Sequence, residues 1–514
     1  MPKILFAKTL PVHLKSTEEA ALEVLNDPKY DAYPQYIDKH EIQSAFDKYG
    51  YKLNPFNSSI YANTLDSPNI EGHFMAKNIP EINSVVMDGT CTKDNIHHIL
   101  ERQDNITHIA LSVYAHGLDN AVNVINIIQN DYPEKKLFLG GTGSCYPRLH
   151  KMVPPRNICR GEGISWLREK FELSQVTGNE IEISTVMGDT TIFPTNMKTA
   201  YIVTQTGCPF SCDFCITSKM FQYNPFTRSA EIIQVFEELL ERDKKDKFVY
   251  ICEPNACYPE REWKKVFNHF IDYKGSYDNY LHIICLISLN HLKKFNLKKI
   301  QEKSRVRFFL VNYGIESTLG PGYKKNMGIT NQFIKKIGQY GIISNHNFIL
   351  GLPHHTKENI HLEIKRNLEY DSCWYFISTL KPIPTTNVYA ELQKQGLMYG
   401  ENLPPEFVYQ DGFFPFEHPH LGGGFAALQY AFESYYKTEE KVIDVYSTFA
   451  RTLLNAPPNA ISSDLQKIID LVLNLSEMNK TMFEPRMSSE LERQYQENLD
   501  VTRQKYTHYQ SQKS

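Results

Sequence analysis

Between residues 196 and 396 six strand-like segments alternate with helix-like ones, and this rhythm constrains the fold more than any other feature of the chain. TAYIVTQTG, KFVYICEPN, HIICLISLN, RVRFFLVNYGIES, IISNHNFILGLP and SCWYFISTLKPIP are short apolar runs rich in β-branched and aromatic residues, as buried strands are. SAEIIQVFEELLER, between the first two, spaces Ile232, Val235, Phe236, Leu239 and Leu240 along one helical stripe, with Ser229 as the expected N-cap. Six such units predict an incomplete parallel (β/α)6 barrel. Chemistry in that architecture belongs at the C-terminal ends of the strands.

A shorter alternation precedes it. KILFA, SVVMD, ITHIALSVY and KLFLGG read as strands. IDKHEIQSAFDKYG, TKDNIHHILERQ and GLDNAVNVINIIQNDY read as helices, the last with Ala121, Val122, Ile125 and Ile128 on one side. Strands alternating with helices imply a second α/β unit around a parallel sheet. The expected division is an α/β domain at 1–185, the partial barrel at 196–396 and a mainly helical C-terminal cap at 397–514. In the last part FPFEHPHLGGG reads as a loop, AALQYAFESYYKTEEKVIDVYSTFARTLLN and SSDLQKIIDLVLNLSEMNKTMF as helices, and the polar final stretch as frayed.

Composition narrows the function. The chain has 55 Lys and Arg against 59 Asp and Glu, a formal net charge of −4, which argues against wrapping nucleic acid or coating anionic lipid. Its apolar runs are strand-sized, and the opening MPKILFAKTLPVHL lacks the long apolar core of a secretory signal. A cytoplasmic protein without a membrane partner is expected. Seven of the ten cysteines are scattered, which in such a chain reads as buried small hydrophobes rather than a disulfide framework.

Cys208, Cys212 and Cys215 are not scattered. They lie in Gly207-Cys208-Pro209-Phe210-Ser211-Cys212-Asp213-Phe214-Cys215, a CxxxCxxC loop directly after the first barrel strand. Close spacing lets one loop offer three thiolates to an iron–sulfur cubane. Three ligands for four irons leave one iron open to a substrate-like molecule. A structural zinc site would want a second pair of ligands, and none stands at the usual spacing.

This loop resembles that of the radical S-adenosylmethionine superfamily, and later segments match in order over about residues 196 to 396. Phe214 is the aromatic before the last cysteine. Glu253 ends the second barrel strand, where the family often holds the amino group of S-adenosylmethionine. Gly314-Ile315-Glu316-Ser317 resembles the family's GIES segment, which contacts the ribose or methionine moiety. Asn347 to Pro353, with its Gly351 turn, resembles the segment along the adenine, and PIPTTNVYAELQKQG the segment that closes the region. The resemblance implies a 4Fe-4S cluster on the three cysteines, S-adenosylmethionine on the open iron, and a 5′-deoxyadenosyl radical after one-electron cleavage. A flavodoxin or ferredoxin would supply the electron.

With that barrel behind it, the stretch from about 84 to 175 resembles the Rossmann-like cobalamin-binding domain found in part of the superfamily. Ser112 and Gly140-Gly141, at the ends of two strands, match residues that line the pocket for the nucleotide tail. Arg160-Gly161-Glu162-Gly163 matches the exit from the domain, with Ile164 where a second Glu is common. The Asp-x-His-x-x-Gly motif of classical cobalamin domains is missing. Its nearest counterpart, Asp38-Lys39-His40-Glu41-Ile42-Gln43, lacks the glycine, so His40 reads as an exposed helical histidine. Cobalamin would bind without histidine on cobalt. Asn312, Tyr313, Asn345, His346 and Asn347 on strands, and His354, His355, His418 and His420 near the barrel mouth, are candidate substrate contacts.

The resemblance implies a methyltransferase acting on an unactivated carbon, less often phosphorus, of a small molecule or peptide. The alternatives are a cobalamin-binding cyclase or rearrangement enzyme of the same family, and an iron–sulfur electron-transfer protein without radical turnover. A radical methylthiotransferase fits worse, because Cys91, Cys145 and Cys159 do not match its extra cluster ligands and the C-terminus reads as helical.

Overall fold

The computed structural model of the protein describes residues 2–11, 17–32, 38–49, 67–103, 105–176, 178–189, 197–226, 228–271, 273, 275, 279–320, 328–441, 445–457, 461–483 and 489–513. Among them, two largely parallel sheets and one short hairpin carry the strands. The first sheet contains β1 (Lys3–Thr9), β2 (Asn83–Val86), β3 (His108–Val113) and β4 (Lys136–Gly140) in the order β2-β1-β3-β4, all parallel. Strand β1 is central because both its faces are apolar. Ile4 and Phe6 pack into one cluster, Leu5 and Ala7 into another. The helix Leu118–Asp131 covers one face and buries Ala121, Val124, Ile125 and Ile128, so Val124 takes the place expected of Val122. Strand order reverses between β1 and β3, which opens a crevice at the C-terminal ends of these strands.

The second sheet holds β5 (Ser184–Asp189), β6 (Lys198–Val203), β7 (Lys247–Ile251), β8 (Leu281–Leu286), β9 (Val306–Glu316), β10 (Ile343–Leu350) and β11 (Trp374–Thr379) in sequential order. Strands β6 to β11 are parallel, and β5 pairs antiparallel along the β6 edge. Helix Ser229–Glu241 lies on the outside and buries Ile232, Phe236, Leu239 and Leu240. Ser229 is its first residue rather than its cap, and its N–H donates to Glu262 Oε2 at 3.1 Å.

Three expectations for the C-terminal region change. Helices Val445–Leu453, Ser463–Phe483 and Ser489–Lys513 pack on the inward-facing Phe248, Ile284, Phe309, Leu310 and Ile343. They plug the N-terminal end of the barrel instead of capping its mouth, and Ser462 there donates to Asp246, which also pairs with His282 at 2.8 Å. The final stretch is a helix, not a frayed tail. It buries Tyr495, Leu499, Thr502, Tyr506 and Tyr509, a stripe at heptad-like spacing. FPFEHPHLGGG forms the hairpin of β12 (Phe414–His418) and β13 (Gly422–Gly424) at the mouth. The N-terminal helices Thr17–Asn26 and Lys39–Tyr49 join this C-terminal segment, through Leu403, Phe407, Phe413 and Phe432, rather than the first sheet. Among the described residues no helix is long and apolar enough to cross a membrane.

Candidate functional site

The cysteine loop leaves β6 and is closed at its neck. Thr206 and Asn224 exchange backbone hydrogen bonds of 3.1 and 3.0 Å. Gly207 has φ +70°, and a Cβ there would stand 2.7 Å from the Gln222 carbonyl oxygen, so the tight neck requires glycine. Within the loop the Cys215 N–H donates to the Cys212 carbonyl at 3.1 Å, and the Cys208, Cys212 and Cys215 thiols are half-buried. None of the ten cysteines is in a disulfide. Burial pushes the Cys91 and Cys145 thiols up to about 12 and Cys159 up to about 11, which keeps them protonated and inert. The loop is tied to the segment after β11: Asn387 Nδ2 donates to Asp213 Oδ1 at 2.7 Å, and the Val388 N–H to the Asp213 carbonyl at 3.3 Å.

Two cavities flank this loop. One, of about 410 Å³, occupies the barrel mouth and is lined by Phe214, Cys215, Asn312, Glu316, Asn347 and Lys381, among others. The other, of about 380 Å³, lies between the first sheet and the loop and is lined by Ser112, Gly140, Gly141, Gly161, Gly207 and Thr217, among others. Pro254, just past β7, lines both.

In the barrel cavity Glu316 has an unusual backbone. Its φ is +67°, and the Ser317 N–H donates to the Ile315 carbonyl at 2.8 Å, a γ-turn that is strained for a non-glycine residue. The β9–β10 register slips at the same place, so that Gly314 faces Asn347 but Phe348 already faces Glu316. The bulge and turn re-aim the carboxylate into the cavity. It folds back over Gly314, where a Cβ would overlap it. On β10, Asn345 and Asn347 face the interior: Asn345 donates to Asn312 Oδ1 at 2.7 Å and Asn347 to the Tyr313 carbonyl at 3.1 Å. His346 faces the helices, buried against Asn367.

The other expected residues fall around these walls. Glu253 lines neither cavity. It is buried at the root of the cysteine loop, where Oε1 accepts the Thr204 N–H at 2.5 Å and Oε2 has no hydrogen-bond partner. Burial raises its carboxyl to about 7. Between about pH 4.5 and 7 the folded chain therefore holds this proton more tightly than the unfolded chain, and the stability difference falls as pH rises through that window. Glu253→Gln is expected to remove this slope. In thermal melts without ligands it should match the wild type near pH 4.5 and exceed it by up to about 3 kcal/mol above pH 7. Ser317 and Gly351 also lie outside the cavity lining. Ser317 Oγ donates to Glu363 Oε2 at 2.6 Å, and Gly351, at φ +81°, packs so closely on Phe414 that no side chain fits. His355 and His418 are fully bonded to backbone and to Glu363, so they read as structural.

The first-sheet cavity gives Gly140 and Gly141 different parts. Gly141 has φ +79°, and a Cβ on it would stand 2.6 Å from the Val113 carbonyl oxygen, so glycine there serves the fold. Gly140 lines the cavity, and a Cβ on it would meet only Cys159 Cβ at 3.9 Å. No histidine is among the described residues that line this cavity, and His40 is exposed on its helix. Lys381 is a site residue without a sequence signal. It donates to the Gln410 carbonyl at 2.6 Å and to the Phe413 carbonyl, and burial lowers its pKa to about 7.

The chain matches no protein-family profile. A hopanoid C-2 methylase of Rhodopseudomonas palustris (strain TIE-1) is 25% identical to it over 207 residues, which is 38% of each chain, so the match spans well under half of that relative's length. The structure of TsrM, a radical S-adenosylmethionine methyltransferase from Kitasatospora setae, with tryptophan substrate and aza-SAM bound, covers 87% of this chain and 89% of its own, with a TM-score of 0.51 at 12% identity. A second TsrM structure, with cobalamin and a 4Fe-4S cluster, covers 82% of this chain and 87% of its own, with a TM-score of 0.49 at 13% identity. At such identity the likeness is one of fold. The stretch of sequence shared with the methylase and the fold shared with the methyltransferase are what this chain is similar to.

Proposed function

We propose that the protein is a cobalamin-dependent radical S-adenosylmethionine methyltransferase that acts on an unactivated carbon of a small molecule or peptide. The observation that carries this reading is the position of the cysteine loop between two cavities that share the Pro254 wall. Three half-buried thiols on one closed loop fit a cluster with an open iron. Phe214 and Glu316 line the adjoining cavity and would hold S-adenosylmethionine, with Ser317 and Gly351 fixing the turns behind them. The unpartnered Glu253 Oε2 suits an ammonium group. The open space beside Gly140, and the lack of histidine in that lining, fit cobalamin bound without a protein histidine. When bound, the cluster supplies an electron for S-adenosylmethionine cleavage and cobalamin a transferable methyl group. The chain's own contribution is to orient these groups and to exclude water from the barrel mouth, whose walls include Leu286, Phe348 and Phe376.

The test is product analysis after anaerobic reconstitution with cluster and cobalamin. With the true substrate, S-adenosylhomocysteine and 5′-deoxyadenosine are expected in comparable amounts, and label from the S-adenosylmethionine methyl group in the product. If 5′-deoxyadenosine forms without label transfer, methyl transfer is wrong and a cyclisation or rearrangement takes its place.

A further inference from the structure

Glu363 is fully buried on the outer helix Ile360–Leu368, and no motif marks it. Its two oxygens accept from the segment directly after Glu316. Ser317 Oγ donates at 2.6 Å, the Thr318 N–H at 2.6 Å, Thr318 Oγ1 at 2.9 Å and the Leu319 N–H at 3.1 Å. Asn367 donates to it as well. His355 Nδ1 accepts the Gly351 and Leu352 N–H groups at 3.0 and 3.2 Å, so the ring proton sits on Nε2 and points to Glu363 Oε2 at 3.3 Å. Burial opposes ionisation of Glu363, but the bonds from His355, Ser317 and Thr318 outweigh it and hold the carboxyl near 2. His354, His355 and Glu363 stand close enough to surround a cation. The donors already crowded on Glu363 make it the hub of a hydrogen-bond network instead.

We propose that Glu363 and His355 are positioning residues: one buried carboxylate ties the strained turn at Glu316 to the Gly351–Leu352 turn, and so fixes where Glu316 enters the barrel cavity. A γ-turn at a non-glycine residue persists only where its surroundings over-determine it. Here four of the bonds fall on the three residues that follow the turn. The strain at Glu316 and the network on Glu363 are thus two sides of one arrangement. The proposal rests on the reading of Glu316 as a contact of S-adenosylmethionine.

The experiment measures S-adenosylmethionine affinity of the anaerobically reconstituted full chain in a double-mutant cycle of Glu316→Gln and Glu363→Gln, with iron content and melting temperature recorded for each. Glutamine keeps the shape of Glu363 but turns an NH₂ group toward N–H donors. Glu363→Gln is expected to weaken binding about tenfold in the wild-type background and no more than about twofold in the Glu316→Gln background, with iron unchanged. Asp246→Asn, which disturbs an equally buried pair at the far end of the barrel, should lower the melting temperature without changing affinity. If Glu363→Gln weakens binding equally in both backgrounds, or not at all, the positioning role is overturned. If Glu316→Gln itself leaves affinity unchanged, the cofactor reading of Glu316 falls instead. Should Glu363→Gln fail to fold, His355→Asn keeps an acceptor for the Gly351 and Leu352 N–H groups and removes only the link to Glu363. A smaller loss that vanishes in the Glu316→Gln background supports the proposal, and no loss overturns it.

Discussion

Replacing Cys208, Cys212 and Cys215 together by alanine is expected to take the iron of the reconstituted protein from about four atoms per chain to near zero. S-Adenosylmethionine cleavage should vanish with it. The three thiols share one closed loop and are half-buried, whereas Cys145 and Cys373 are buried in apolar clusters and the buried Cys159 thiol donates to the Gly161 carbonyl at 3.4 Å. Single alanine changes at those three should leave iron and sulfide content intact. Iron and sulfide analysis, with chromatography of 5′-deoxyadenosine, reads both effects. Wild-type cleavage by the triple variant would remove the basis of the functional reading.

The second large effect is expected at Gly140. A Cβ there meets no protein backbone within 4 Å and valine suits the end of a strand, so the fold should survive. Its methyl groups would project into the first-sheet cavity. Overpacking of a fitted site by one to three kcal/mol predicts a fall in cobalamin retention of roughly tenfold or more after desalting. The absorbance of bound cobalamin is the measurement. Gly141 makes a poorer probe, because any side chain there strains its positive φ and strikes Val113 whether or not a ligand is present. His40→Ala should leave the cobalt spectrum unchanged, as the exposed helix position requires. Full retention by Gly140→Val would show that cobalamin, if bound, does not lie against this strand end.

The strands and the cysteine loop were legible because both are local signals. A buried parallel strand is a short apolar run, and three cysteines within one turn need no distant context. Glu363 was not legible for the opposite reason. A glutamate on an amphipathic helix reads as solvent-facing, and its partners at Ser317 and Thr318 lie far back in the chain. Lys381 likewise looks like an ordinary charge until Gln410 and Phe413 close over it. The hairpin of β12 and β13 was hidden by Pro415 and three consecutive glycines, which count against strands in any local reading. Its aromatic residues are nevertheless buried, and that burial comes from packing across the barrel mouth. The last helix was missed because its many charges concealed a narrow stripe of tyrosine and leucine.

The paired bonds between Thr206 and Asn224 bear on how the protein behaves in air. They clasp the ends of the cysteine loop with backbone groups alone, outside the stretch that carries the thiols. Helix Asn387–Lys394 holds the far side through Asp213, again without sulfur. Oxygen that strips the metal should therefore empty a socket whose rim keeps its shape. Protein purified aerobically and then given iron and sulfide under reducing conditions should recover by refilling, at a rate set by metal delivery rather than by refolding of the chain.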